Sequence, residues 1–158
     1  PKSVMRVLGP LNYYFIVFGF FGIVTVFGYV SSGCNATLAT FGYNLLGTKL
    51  PHPECGTAAI LFLRIVEAAW VAMAGLFLVL GLAPKCGVSV PKKLMGFIYV
   101  FNVMPFFFGI ILAFMITEIE PGLKYPYIIN VLMMITATIA FYVCYCKQED
   151  TPLGVSMA

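Results

Sequence analysis

The chain has 158 residues, of which 61% are hydrophobic and only 9% are charged, and its formal net charge is +3. Water-soluble globular proteins carry roughly 25% charged residues, so this composition excludes a soluble domain and indicates one membrane domain over residues 1–158. The basic residues flank apolar segments and form no basic patch, which excludes nucleic acid as a partner.

Four apolar segments predict four membrane-spanning helices. The hydrocarbon core of a bilayer is about 30 Å thick and requires roughly 20 apolar residues at about 1.5 Å per residue. Tyrosines lie near the ends of several segments, where their rings prefer the headgroup level. The predicted spans are residues 11–30, 58–82, 94–116 and 126–145. We therefore predict an all-α membrane protein, a four-transmembrane-helix bundle.

The first loop, residues 31–57, is the longest connection and begins and ends with helix-breaking residues. Leu38, Phe41 and Leu45 recur within it at the i, i+3 and i+7 spacing of one helical face. This spacing predicts a short interfacial helix in the first loop.

The cysteines fall on both sides of the predicted membrane. Cys34 and Cys55 lie in the first loop, on the side where oxidation is permitted. A disulfide between them would close a loop of about 22 residues and add roughly 3 kcal/mol of stability, but two free thiols are an equal alternative. Cys144 and Cys146 have CxC spacing with no histidine beside them, so the sequence predicts no metal site there.

Arg64 and Glu67 are the charged residues inside the predicted spans. A charge near the bilayer centre costs at least ~2.5–3.5 kcal/mol, so such residues face protein or water and have partners. At i and i+3 the two side chains share a helical face and can form an ion pair. Asn102 and Asn130, in the third and fourth spans, are candidate polar partners. The pair is either a self-neutralised ion pair that hydrogen-bonds neighbouring helices and fixes their register, or a functional intramembrane polar site.

Small residues indicate where membrane helices pack closely. Ala68, Ala72 and Gly75 form a small-residue stripe on the second span, on a face beside the charged pair. Gly109 and Ala113 form a second small-residue pair on the third span. We expect both faces to meet neighbouring helices.

Three further features bear on the predicted helices. Gly19, Gly22 and Gly28 in the first span suit a close approach by another helix. Pro105 lacks a backbone donor inside the third span, which predicts a kink. Ser89 and Pro91 predict the start of the third helix, as a cap and a first-turn proline.

Charge distribution predicts the orientation of the bundle. Four spans place both ends of the chain on the side of the second loop, with six Lys or Arg residues against two on the other side. By the positive-inside rule, that side faces the cytosol, stroma or matrix. A start at Pro1 fits either a mature N-terminus or a trimmed chain. A removed targeting segment would imply organelle import or secretion, and we favour an organelle membrane such as the thylakoid or mitochondrial inner membrane. The polar tail, residues 147–158, is expected to have little fixed structure.

No catalytic base, nucleophile or metal-binding set is evident in the sequence, so we expect no enzymatic activity. The favoured interpretation is a structural, accessory subunit of a larger membrane complex, with a respiratory or photosynthetic complex as the first expectation. Its expected partners are integral membrane subunits and bound lipids, and chlorophyll or carotenoid is a further candidate cofactor. The alternative is a small four-span transporter or channel that uses Arg64 and Glu67 as an intramembrane polar site.

Overall fold

The computed structural model describes residues 8–31, 58–116 and 124–155, and this part of the chain is mostly helical. Its four helices are α1 Pro10–Ser31, α2 Ala58–Leu82, α3 Lys92–Ile116 and α4 Lys124–Lys147. The sequence-based prediction of four helices is confirmed, because every predicted end lies close to an observed one. The predicted interfacial helix and the Cys34–Cys55 pair lie outside the described residues.

The start of α1 is capped both locally and from the far end of the chain. Pro10 occupies the first helical position, where its missing N–H costs nothing. The Gly9 N–H donates to Asn12 Oδ1 at 3.3 Å, and the Leu11 N–H donates to Gln148 Oε1 at 3.2 Å. The first turn of a helix leaves N–H groups that need partners. The residue after α4 therefore helps to fix where α1 begins.

The connection between α2 and α3 is a short, ordered turn. It consists of a 3-10 turn, Ala83–Cys86, followed by Gly87 with a φ of 77°. Residues with side chains rarely adopt this left-handed conformation, so glycine suits the position. The Gly87 N–H donates to the Pro84 carbonyl at 3.2 Å, which ends the turn. α3 then runs without interruption past Pro105.

Residues 148–155 of the C-terminal tail are ordered against this connection, contrary to the expectation of little fixed structure. Strand β1, Val88–Ser89, pairs antiparallel with strand β2, Gly154–Val155. The Ser89 hydroxyl does not cap α3; it donates to the Pro152 carbonyl at 2.7 Å. We call residues 148–155 the strap, because they join the start of α1 to the α2–α3 connection. Lys92 strengthens this junction by donating to the strap's first carbonyl at 2.9 Å.

An aromatic cluster forms the core, with one buried ring from each helix. Tyr99 of α3 stacks on Phe141 of α4 with ring centroids 3.7 Å apart, and Phe15 of α1 stacks on Phe77 of α2 at 4.9 Å. Aromatic pairs of this kind contribute about 0.5–1.5 kcal/mol beyond their buried area. The remaining buried core residues are Leu11, Met95 and Val103.

A polar contact ties α4 to this cluster. The Tyr14 hydroxyl donates to the Ala137 carbonyl at 2.9 Å and lies 3.2 Å from the Tyr99 hydroxyl. Buried hydroxyls of tyrosine need such partners, because an unsatisfied polar group in an apolar core is costly. This contact therefore links α1, α3 and α4 at one level of the bundle.

α1 and α2 form the most extensive helix pair, and glycines allow their backbones to approach. A Cβ placed on Gly19 would lie 2.6 Å from the carbonyl oxygen of Ala74. A Cβ placed on Gly81 would lie 2.8 Å from the carbonyl oxygen of Asn12. Backbone atoms cannot swing aside as a flexible side chain can. The prediction of a close approach is confirmed at Gly19, whereas a Cβ placed on Gly28 would meet nothing within 4 Å.

The outer faces of the helices are apolar. Large exposed hydrophobic side chains occur on all four, among them Phe20, Phe27, Val79, Phe101 and Ile139. Two helical segments of the described chain, Pro10–Gly28 and Arg64–Cys86, are long and apolar enough to cross a membrane, with mean hydropathies of 1.7 and 2.2. Exposed apolar surface on this scale is typical of a protein that meets lipid or other proteins.

We expect Gly19→Ala to destabilise the bundle by about 1–3 kcal/mol, because the new methyl group would overlap the α2 backbone. Gly75→Ala is the matched control. A Cβ at Gly75 meets nothing within 4 Å, so this change is expected to stabilise the helix by roughly 0.5–1 kcal/mol. Thermal unfolding of the two variants in one detergent measures the difference. Equal stabilities would contradict the close α1–α2 contact.

Candidate functional site

Arg64 and Glu67 form an ion pair on α2, as their i, i+3 spacing predicts. Arg64 Nη1 lies 2.6 Å from Glu67 Oε2. The two partners differ in burial, since the Glu67 side chain is 5% exposed and that of Arg64 is 37% exposed. The carboxylate therefore faces the interior of the bundle, and the guanidinium lies at its edge.

The inner part of the site contains two polar atoms without hydrogen-bond partners. Glu67 Oε1 and Trp70 Nε1 are both buried, and neither has a partner in the part of the chain that the structure describes. Glu67 and Trp70 are three residues apart, so their side chains lie on one face of α2. One atom is a hydrogen-bond acceptor and the other is a donor. One face of α2 thus carries an unmet acceptor and an unmet donor.

Three helices enclose Trp70. A Cβ placed on Gly22 of α1 would lie 3.2 Å from Trp70 Nε1, so the indole rests where α1 has no side chain. Phe106 of α3 contacts the ring edge to face, with centroids 5.2 Å apart at 72°. The indole of Trp70 therefore contacts both α1 and α3.

Asn102, one of the two predicted polar partners, bonds within its own helix and not to the ion pair. Asn102 Nδ2 donates to the Ile98 carbonyl at 2.8 Å, one turn back along its own helix. This bond satisfies the amide locally, which is a common arrangement for polar side chains within helices. Asn130 lies within α4, but its side chain is outside the described part of the structure.

The predicted small-residue stripe on α2 faces away from α1. Ala68 and Ala72 are exposed, and a Cβ on Gly75 would meet nothing within 4 Å. The face of α2 that meets α1 instead carries Ala74 and Gly81. No described helix occupies the Ala68–Ala72–Gly75 stripe.

The second predicted small-residue pair lies partly outside the described structure, and the described cysteines form no metal site. Gly109 and Ala113 lie in α3, and their surroundings are outside the described part of the structure. Cys144 and Cys146 are free thiols. Within the described residues there is no group of three or more His, Cys, Asp or Glu side chains that could hold a metal ion.

Sequence reasoning missed Trp70 and Gly22 as parts of the site. Trp70 follows Glu67 by three residues and precedes Ala74 by four, which is the spacing of one helical face. The sequence contained that spacing, but a tryptophan in an apolar span is also commonly a packing residue with no role in a site. The empty position of Gly22 opposite the indole depends on the register between two helices, which the sequence does not show.

Comparisons of the chain with protein-family models, with curated proteins and with solved structures gave no match. Function must therefore be inferred from the chain's own residues. The residues at the site offer a buried carboxylate, a partly exposed guanidinium and a buried indole N–H. This set can bind polar groups or carry charge, and it contains no nucleophile–base pair.

We expect the two halves of the ion pair to differ in their mutational cost. Arg64→Met leaves a buried carboxylate without its cation and should cost about 3 kcal/mol or more. Glu67→Met leaves a guanidinium that is already partly exposed and can reach toward solvent, so it should cost less. The double variant should cost less than the sum of the two single changes.

Unfolding of the three variants and the unchanged chain in the same detergent completes this double-mutant cycle. Additive costs, or a larger cost for Glu67→Met, would show that the pair is not the buried, coupled unit described above. Helical content of each variant before unfolding serves as the control for gross misfolding.

Proposed function

We propose that the chain is a four-span integral membrane protein that acts as a non-enzymatic accessory subunit of a larger membrane complex. A respiratory or photosynthetic complex is the first candidate. The observation that carries this proposal is the outward small-residue stripe of Ala68, Ala72 and Gly75 on α2. Lipid-facing surfaces tolerate large apolar side chains, whereas small residues are enriched where another helix approaches.

The surroundings of the stripe support a protein partner. The described chain leaves Gly75 open, while the neighbouring α2 positions Ile65, Leu76 and Val79 are exposed and apolar. In the membrane, helices associate through close packing because lipid offers no hydrophobic driving force. A partner helix would pack against the flat stripe and contact the larger side chains beside it.

The basic end of the bundle supports the proposed orientation. The start of α1, the α2–α3 connection and the strap meet at one end, which carries Lys85, Lys92, Lys93 and Lys147. By the positive-inside rule we infer that this end faces the cytosol, stroma or matrix. The thylakoid or mitochondrial inner membrane is the proposed location.

α4 supports the proposal of bound lipid. A shallow groove of about 430 Å³ lies along it, lined by Ile129, Leu132, Met133, Thr136 and Ala137. The lining is apolar apart from one hydroxyl, which suits an acyl chain. A chlorophyll or carotenoid is a further candidate for the same surface.

The proposed subunit should migrate with a much larger complex when the native membrane is dissolved in mild detergent. Ala72→Phe places a bulky ring on the stripe without contacting α1, so it should release the subunit from the complex and leave its fold unchanged. Ala140→Phe is the matched control, because Ala140 is an exposed alanine on α4.

Native gel migration and co-purification measure both outcomes. A chain that always migrates as a lone bundle, or an Ala72→Phe variant that stays in the complex as well as Ala140→Phe does, would contradict the accessory role. Helical content and thermal stability of the purified variants check that the fold is unchanged.

The unpartnered Glu67 Oε1 favours a second candidate, a small transporter or channel with Arg64 and Glu67 on its path. Ionisable groups within membrane helices often mark ion or proton routes. In that case Glu67→Gln should abolish flux through proteoliposomes while the fold persists. Glu149→Gln, which changes an exposed carboxylate after α4, is the control. Flux that is absent from the unchanged chain, or unaltered by Glu67→Gln, counts against transport.

A further inference from the structure

Two buried polar atoms of the site are left without partners although they complement each other. Glu67 Oε1 can only accept a hydrogen bond from a donor while the carboxylate is ionised, and Trp70 Nε1–H can only donate one. Each unsatisfied polar group in an apolar interior costs about 1–3 kcal/mol. A molecule that satisfies both at once would remove both costs.

We propose that Glu67 and Trp70 together bind one hydroxyl group, supplied by a water molecule or by a membrane-dissolved alcohol. The hydroxyl donates its proton to Glu67 Oε1 and accepts the indole N–H through its oxygen. A hydroxyl carries both functions on a single atom, so it needs little room. Buried water commonly satisfies otherwise unpaired groups in this way.

The charges around the site exclude other classes of ligand. A simple cation cannot accept the indole N–H, and the guanidinium of Arg64 at 2.6 Å from the carboxylate would repel it. An anion would be repelled by the Glu67 carboxylate, three residues from Trp70 on the same helical face. A carbonyl group could accept from Trp70 but has no proton to give to Glu67. The hydroxyl group meets both requirements without adding charge.

Arg64 is the partly exposed member of the group, and its long side chain can swing outward without moving the backbone. Gly22 of α1 lies close to Trp70 Nε1 and has no side chain that could accept the indole N–H. Arg64 is therefore the residue whose movement would admit a hydroxyl group.

The depth of the site limits the source of the hydroxyl. Glu67 is nine residues after the first residue of α2, Ala58, and at about 1.5 Å per residue this is roughly 14 Å along the helix axis. A hydroxyl fixed at the membrane surface does not reach that depth. Water can enter as a single molecule, and an apolar alcohol can carry its hydroxyl inward. Both sources share the same binding chemistry, and experiment separates them.

This site goes beyond the accessory role and does not depend on it. Loss of the partner complex would disprove the accessory role and leave the hydroxyl site intact. Conversely, an empty site would not affect association through the outward stripe of α2, which lies on another face of the helix.

Trp70 is the chain's one tryptophan, so its indole N–H gives one NMR cross-peak. The full chain with ¹⁵N-labelled tryptophan is placed in nanodiscs of dioleoylphosphatidylcholine, a lipid without a hydroxyl group. If water occupies the site, the indole proton lies downfield and shows cross-relaxation with water. If an alcohol is the ligand, added 1-decanol shifts the cross-peak saturably.

The double variant Arg64→Met/Glu67→Met removes the acceptor together with its cation. It should abolish the water contact, or weaken 1-decanol binding by about tenfold, the equivalent of ~1.4 kcal/mol for one hydrogen bond to a charged group. Glu149→Gln, an exposed carboxylate elsewhere, should leave the cross-peak unchanged.

An indole proton with neither a water contact nor a response to 1-decanol would overturn the proposal. The same holds if the double variant binds 1-decanol as tightly as the unchanged chain, or if Trp70 bonds directly to Glu67. If the double variant fails to fold, the spectrum of the unchanged chain decides alone, because water contact or saturable decanol binding is read there directly.

Discussion

The bundle depends on the close contact between the backbones of α1 and α2. Gly19 and Gly81 permit it, because any side chain at either position would meet backbone atoms of the other helix. The contact also fixes the rotation of α2 about its own axis. Trp70 and Glu67 therefore turn inward, and the small-residue stripe that includes Ala72 turns outward. One steric constraint thus decides which side chains can form a polar site and which can meet a partner.

The inward rotation of α2 places a carboxylate where it requires a cation. Glu67 is almost fully buried, and Arg64 is the neighbour that neutralises it. A helix carrying both residues can enter an apolar medium at lower cost than a helix carrying one. The remaining stability comes from packing, which includes the stacked rings of Tyr99 and Phe141. The ion pair and the aromatic cluster therefore have different roles. The ion pair lowers the cost of burying the Glu67 carboxylate, and the aromatic cluster packs the helices against each other.

Local properties of the sequence were sufficient to predict the helices and the ion pair. The apolar runs and the prolines that separate them act within one segment, and the i, i+3 spacing of Arg64 and Glu67 lies within one helix. The face of α2 that meets α1 could not be predicted, because it depends on the fit of Gly22 against Trp70 across two helices. The strap could not be predicted for the same reason. Gln148 Oε1 accepts the Leu11 N–H, and this bond joins two residues that are far apart in the sequence.

The strap also has a consequence for the order in which the molecule can be completed during synthesis. Leu11 is made early, yet the side chain that accepts its N–H belongs to Gln148, which follows α4. The Leu11 N–H therefore lacks this partner until α4 and Gln148 have been made. Contacts so distant in sequence form late, because the intervening chain must first be brought together. The contacts of the strap with the start of α1 and with Ser89 are therefore expected to form last, after all four helices have been made.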